Sequence, residues 1–353
     1  MFLFRYSAHS GEIIEFTAEA IEPLRFADLE ASQTQTYQMT IHAASITGLP
    51  DRSEPAGPGT VTMPITFGEP VSIFCLIEGG WLPLPFVDPP KFLADRNVVV
   101  ALAQIRRKVS RADLNHTDWW FQFFRGRSLE INPALYAFEG NNRRAPTLNE
   151  FIHAFDEASS EVSMQLPGAT LTKYGRQHYE AAYALIVEFA DRHRRETEFL
   201  LNVAPQLSER AADSRVLNIE SEILNRGHEL NLKSSSFVVL AALACLYERT
   251  DGSGFLAARR IIKPTKTFSP ADAHNALSDL RALEFFVGGL GLGREPFALC
   301  TRDRAIAAFW CGLQAYGQRW QDERLSFTVS LTAELFPRLD HVGREELAAK
   351  LIA

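Results

Sequence analysis

The hydrophobic period of this 353-residue chain changes once, near residue 90, and that change limits the folds open to it. Before it, short runs rich in β-branched and aromatic residues (Glu12–Phe16, Gln38–Ile41, Thr60–Ile65 and Val71–Ile77) alternate with Gly, Pro and Asp clusters such as GLPDRSEPAGPG at 48–59. Such runs are strands separated by turns. The tract GGWLPLPFVDPP at 79–90 then places four prolines and two glycines in twelve residues, and reads as a hinge or cover.

Beyond it, the apolar run Phe92–Ala94 ends at Asp95, and Val98–Ile105 opens a helix that turns basic at Arg106, Arg107, Lys108 and Arg111. A strand, a polar turn and a helix in that order begin an α/β unit. From about 115 to 290, apolar residues recur at three- and four-residue spacing, as in QHYEAAYALIVEFADRHRRETEFLLNV and FVVLAALACLYERT. Pro296–Cys300 is again a short buried strand, followed by a turn at Thr301–Arg304 and a helix over Ala305–Tyr316. The expected class is α/β: a parallel sheet core flanked by helices at 88–325, a β-rich region at 1–87, a large helical insertion at about 146–265 and a helical tail at 326–353. The glycines of GGLGLG (288–293) follow a helix and lack a GK[ST] ending, so they read as a loop into the next strand rather than a phosphate loop.

Composition narrows the function. With 46% hydrophobic and 22% charged residues the chain is globular, and a formal net charge of −7 disfavours wrapping nucleic acid by overall charge. The four cysteines form no CxxC pair, no apolar stretch is long enough to span a bilayer, and the first residues lack a signal-peptide pattern. A reduced, cytoplasmic setting is expected. The nine histidines show no HxxxH spacing, which argues against zinc.

Two segments share one design: KFLADRN (91–97) and FALCTRDRA (297–305) are apolar strands that end in an aspartate just before a helix. Ligands of open α/β sheets gather beyond the carboxyl ends of strands, where a carboxylate meets a cation. If these aspartates were only helix caps, they would be expected far apart in space. Two more acids fit the plan. Glu139 lies on a short helix from Pro133 to Gly140, on a different arc from Leu135 and Phe138. Asp279 sits mid-helix between Leu277, Leu280 and Leu283, where a carboxylate is costly to bury without a partner. Asp272 is the capping-box acid of that helix, three residues after Ser269, and one face-repeat from Asp279. It is the reserve candidate for the third acid.

The ordered set Asp95, Glu139, Asp279 and Asp303, with DxN at 95–97, the ALYAFEGN segment and TRD at 301–303, resembles the PIN-domain nucleases. The resemblance covers roughly 92–140 and 270–315. It leaves out 1–87 and spans a gap of 140 residues between Glu139 and Asp279, longer than in the minimal domain. It implies a PIN-like core and a Mg²⁺- or Mn²⁺-dependent endoribonuclease in which these four acids are metal ligands. Asn97 and Thr301 would orient ligands or a phosphate. Many PIN proteins are toxins of bacterial toxin–antitoxin pairs and dimers are common among them. The implied partners are therefore RNA or single-stranded DNA, an antitoxin or regulatory protein, and a second copy. The alternative is an inactive PIN-like protein that binds RNA or a partner and cuts nothing. Four carboxylates in one cleft repel, so a hard divalent cation with oxygen ligands suits them.

Cations are needed for the substrate. Arg143 and Arg144 follow Glu139 and are the expected phosphate contacts. The clusters at Arg106–Arg111, Arg192–Arg195 and Arg259–Lys266 read mainly as solvated helix faces. The contiguous aromatics Trp119, Trp120, Phe121, Phe123 and Phe124 read as core rather than as a stacking platform.

Overall fold

The computed structural model describes residues 2–7, 13–30, 36–47, 59–87, 91–106, 120–124, 129–140, 142–173, 175–249, 251, 254–293, 297–321 and 324–352. Arg107, Lys108, Arg111, Trp119 and Pro296 lie outside them. The fold is mixed α/β, with eleven α-helices and a six-stranded mixed sheet among the described residues.

The first four strands, β1 (Phe2–Ser7), β2 (Ile13–Ile21), β3 (Thr36–Thr47) and β4 (Gly59–Thr66), form an antiparallel meander in chain order. A strand turns alternate side chains to opposite faces. On β3, Tyr37, Met39 and Ile41 are buried, while Thr36 and Thr40 hydrogen-bond Thr66 and Thr62 on the outer face. Helix α1 (Phe26–Glu30) follows β2 and buries Phe26 and Leu29.

The second sheet has the order β6-β5-β10-β7-β8-β9, built from β5 (Phe74–Ile77), β6 (Gly80–Pro83), β7 (Lys91–Ala94), β8 (Glu130–Asn132), β9 (Thr170–Leu171) and β10 (Phe297–Thr301). β10, β7, β8 and β9 are parallel, whereas β5 and β6 run antiparallel. The sheet is therefore mixed where an all-parallel one was expected, and residues 74–83 belong to it rather than to the N-terminal sheet. The two-residue turn Glu78–Gly79 joins β5 to β6 directly, with Gly79 at a left-handed φ of 81°. Such a turn gives an antiparallel pair, because a parallel neighbour needs a long crossover. The two sheets meet at Trp81: its main chain bridges Leu24, and Tyr37 packs on its ring at 5.7 Å. A Cβ at Gly80 would stand 2.2 Å from the Leu24 carbonyl, so only glycine permits this approach.

Helices cover the sheet. They are α2 (Arg96–Arg106), α3 (Ala134–Glu139), α4 (Leu148–Gln165), α5 (Arg176–Leu207), α6 (Asp213–Glu229), α7 (Phe237–Leu246), α8 (Ala257–Ile262), α9 (Pro270–Leu292), α10 (Arg304–Leu313) and α11 (His341–Ile352). Every residue of α7 is buried, as its uninterrupted apolar run requires. Trp120, Phe121 and Phe124 are core. Among the described residues, no helix is long and apolar enough to cross a membrane.

Two sequence expectations fail at the C-terminal side. GGLGLG is the last stretch of α9 and not a loop, with Gly293 its left-handed cap at φ 59°. Glycine weakens a helix, but here it admits a neighbour: a Cβ on Gly289 would lie 2.6 Å from the Phe297 ring. The helix after β10 ends at Leu313. A hairpin of β11 (Tyr316–Gln321) and β12 (Arg324–Thr328) follows, with the Trp320 indole donating to the Gly288 carbonyl at 2.9 Å. The tail beyond 326 thus begins as a strand and becomes helical at 341.

Candidate functional site

β7 and β10 are neighbours, yet β7 leads through α2 to β8 on its other side. The chain leaves the two carboxyl ends in different directions and opens a crevice there, the usual ligand position in such sheets. Asp95 follows β7, and Thr301 and Asp303 follow the same edge of β10. The two strand-end aspartates are side by side, not scattered.

Their polar contacts are dense. Asp95 is 7% exposed. Its Oδ2 accepts from the Thr301 hydroxyl at 2.6 Å and from Asn97 Nδ2 at 2.7 Å, and Oδ1 accepts from the Arg96 N–H at 2.7 Å. Asn97 Oδ1 in turn accepts from the Arg302 N–H at 2.8 Å, which ties α2 to the loop after β10. The Thr301 oxygen accepts from the Asp303 N–H at 2.9 Å. Asp303 caps α10, its Oδ1 accepting from the N–H groups of Ala305 and Ile306. Burial and the nearby Asp303 push the Asp95 carboxyl up to about 6, against the three hydrogen bonds that favour its charged form.

Glu139 ends α3, where Gly140 turns the chain at a positive φ of 67°. Arg96 lies between the two acids: its Nε is 3.5 Å from Glu139 Oε1, its Nη1 donates to the Gly140 carbonyl at 2.9 Å, and its guanidinium lies 4.6 Å over the Tyr136 ring. Burial still raises the Glu139 carboxyl to about 7, with Asp95 adding to the rise and Arg96 opposing it.

Helix α9 starts with the expected capping box: Asp272 Oδ2 accepts from the Ser269 N–H at 2.9 Å and from its hydroxyl at 2.7 Å. Asp279 lies two turns further on. Its carboxyl is held well above the usual range, first by burial and then by Asp303, Asp95 and Glu139, while Lys263 opposes. Four segments far apart in sequence thus bring their acids into one electrostatic field.

They do not form a closed cage. Among the described residues, no three His, Cys, Asp or Glu side chains are arranged to hold one metal ion. Asp303 is spent on its cap and Glu139 on Arg96. The donor chemistry nevertheless suits a hard cation: all four groups are carboxylates, and Asp95 and Glu139 line the same cleft. Mg²⁺ typically takes only one or two protein carboxylates and keeps several waters.

The expected cations are mostly engaged elsewhere. Arg144 pairs with Glu150 of the α4 cap at 2.7 Å, rather than facing the acids. Arg194 and Arg195 hold Asp191, Arg259 holds Glu248, and Lys266 holds Glu209. Arg143 is exposed and close enough to Asp272 and His274 to shift both.

A small, open cleft runs from Asp95 and Glu139 between α3, α5 and α9. It is also lined by residues that the sequence reading missed: His193, His274 and Arg281. Arg281 Nη2 is 3.2 Å from Glu196, which Arg192 also holds at 3.0 Å and which is 3% exposed. Burial and the guanidinium of Arg281 push His193 down to about 4. Positions 274, 278, 281 and 285 recur at four- and three-residue steps, so one face of α9 collects them. That spacing was the available signal. No protein-family model, curated protein or solved structure matches this chain.

Proposed function

We propose that the protein is a Mg²⁺- or Mn²⁺-dependent nuclease with a PIN-like core that hydrolyses phosphodiester bonds of RNA or single-stranded DNA. The observation that carries this reading is the meeting of Asp95 and Asp303 at Thr301, whose hydroxyl donates to Asp95 and whose oxygen accepts the Asp303 N–H; burial first, and then these two acids with Glu139, hold the Asp279 carboxyl above its usual range. Nothing in packing requires such convergence at the sheet's carboxyl edge, and like charges placed together ordinarily serve a cation or a proton.

When bound, the ion supplies charge neutralisation and a more acidic water. Asp95 and Glu139 would hold it from the cleft. Thr301 and Asn97 fix the Asp95 carboxylate by direct hydrogen bonds. Asp303 and Asp279 contribute negative field, and Arg143 is the phosphate contact we retain. An antitoxin or regulatory protein, a homodimer and a cytoplasmic setting belong to the same reading.

Asp95→Asn and Asp303→Asn test it, since asparagine also caps helices and the fold should survive. Each is expected to abolish Mn²⁺-dependent cleavage of single-stranded RNA while circular dichroism is unchanged. Cleavage that persists in both removes the proposal.

One observation favours a second reading, in which the protein binds RNA or a partner without cutting. Arg96 already neutralises Glu139 with a side chain of the chain itself. On that reading Mn²⁺ leaves the thermal midpoint unmoved, whereas an ion bound only by the native state raises it.

A further inference from the structure

Arginines of this chain commonly end on carboxylates: Arg226 on Glu198 and Glu229, Arg259 on Glu248, Arg338 on Asp213. Phe255 carries a pair that does not. The Arg260 guanidinium lies 4.3 Å from the centroid of its ring and the Arg304 guanidinium 4.5 Å. Arg260 is exposed on α8, and among the described residues its side chain makes neither a hydrogen bond nor an ion pair. Arg304 opens α10 directly after Asp303. Its Nη2 donates to the Leu29 and Glu30 carbonyls at the end of α1, and among the described residues it has no ion pair. The charge of Glu30 reaches Arg304, but Glu30 Oε1 accepts the Phe255 N–H at 2.8 Å. An aromatic face attracts a cation, yet one ring does not cancel the repulsion between two. Burial first, and then Arg260, hold the Arg304 guanidinium below its usual value. In a chain with 43 acidic residues against 36 basic ones, two cations gathered without a carboxylate suit an anion from outside.

The pair adjoins the acids. Asp303 and Arg304 are consecutive, and α8 packs on both α9 and α10. Three residues after Arg260, Lys263 closes α8 in the left-handed region at φ 51°, exposed, and its charge acts on Asp279. Cations therefore reach from Phe255 to the field of Asp279. A ligand that meets carboxylates at one end and these cations at the other is a chain of charges rather than a point charge. The planar fork of arginine matches phosphate oxygens. We infer that Arg260 and Arg304 form a phosphodiester subsite for single-stranded RNA or DNA, which holds a backbone phosphate next to the one at the acids. Arg260 supplies the exposed donors, and Arg304, anchored to α1, adds charge. The assignment rests on the nuclease reading for its substrate.

Binding is measured by fluorescence anisotropy with fluorescein-labelled oligouridylate and oligothymidylate, mixed with the full chain in EDTA so that nothing is cut. At least one is expected to bind with saturation. Arg260→Ala, at an exposed position, should weaken that binding about tenfold. It should also make the dependence of log affinity on log salt shallower by about 0.7, the share of one phosphate contact in a single strand. Arg260→Lys keeps the charge and should keep the slope. Lys266→Ala removes an equal charge from a residue held by Glu209, and should change neither. The inference is overturned if neither oligonucleotide binds, even where inorganic phosphate does, or if Arg260→Ala loses no more than Lys266→Ala. Binding that depends on Arg260 in a chain without Mn²⁺-dependent cleavage keeps the subsite and removes the nuclease. Cleavage with unchanged affinity in Arg260→Ala does the opposite.

Discussion

The Thr301 hydroxyl donates to the Asp95 carboxylate at 2.6 Å, joining two residues 206 positions apart across adjacent parallel strands. Thr301 is fully buried, and its oxygen also receives the Asp303 N–H. One hydroxyl therefore connects both strand-end aspartates, and its removal should be felt at each.

Thr301→Val keeps the shape and deletes the hydroxyl. Leaving the main-chain N–H of Asp303 short of a partner, while Asp95 keeps two of its three donors, costs about 1–3 kcal/mol. Urea denaturation should show a loss within that range. The Asp95 carboxyl should titrate higher than in the parent, since a hydrogen bond favouring its charged form is gone. Thr301→Ser, which retains the hydroxyl, should recover most of both.

Stability should depend on pH through the same acids. Burial raises Asp95 from 3.8 to about 6 and Glu139 from 4.5 to about 7, so the folded chain holds protons that the unfolded chain has already released. Their contribution is complete below about pH 4 and is lost as pH rises toward 7. Comparing Asp95→Asn with the parent across this window should show a flatter decline in the variant. Millimolar Mn²⁺ should raise the parent's midpoint more above pH 7 than below pH 6, because the ion needs ionised carboxylates.

Arg96 competes with any cation for Glu139, from which its Nε stands 3.5 Å. Arg96→Gln should tighten Mn²⁺ binding several-fold in calorimetry if Glu139 is a ligand. Its loss of contact with the Gly140 carbonyl and the Tyr136 ring should lower stability by about 1 kcal/mol. Unchanged or weaker ion binding would leave Arg96 as the resident counter-charge, in line with the non-cutting reading.

The two aspartates of α9 should separate cleanly. Asp272 belongs to a capping box, so Asp272→Ala should cost about 1 kcal/mol and leave Mn²⁺ binding intact. Asp279→Asn relieves repulsion from Asp303, Asp95 and Glu139. It should stabilise the ion-free protein at pH 7 and weaken Mn²⁺ binding, as read by thermal midpoints with and without the ion.

Local patterns were readable because they obey short-range rules. KFLA and FALCT are apolar and end in polar turns, Pro133 and Gly140 bound the Glu139 helix, and Ser269 with Asp272 starts α9. The mid-helix position of Asp279 was visible too, and the resemblance grouped it with the same three acids that crowd it. What escaped were facts decided by tertiary pairing. Arg96 looks like any residue opening a helix until α3 brings Glu139 to it. The RHRR cluster looks like a cationic surface until Asp191, Glu196 and Glu284 consume it. GGLGLG looks like a loop because glycine is a poor helix former, and only the Phe297 ring explains why the helix needs it. The antiparallel β5–β6 hairpin hid in a proline-rich tract whose strand is short and at the sheet edge.

Helix α9 is a single rod of 23 residues, about 35 Å from end to end. It holds His274, Asp279, Arg281 and Phe285 in fixed succession and ends locked by Gly289 against β10 and by Gly288 against the β11–β12 hairpin. No joint separates these residues, so their spacing is set by the helix itself. The acid at 279 and the ring at 285 are thus spaced by one stiff element, seated at its far end by two glycines.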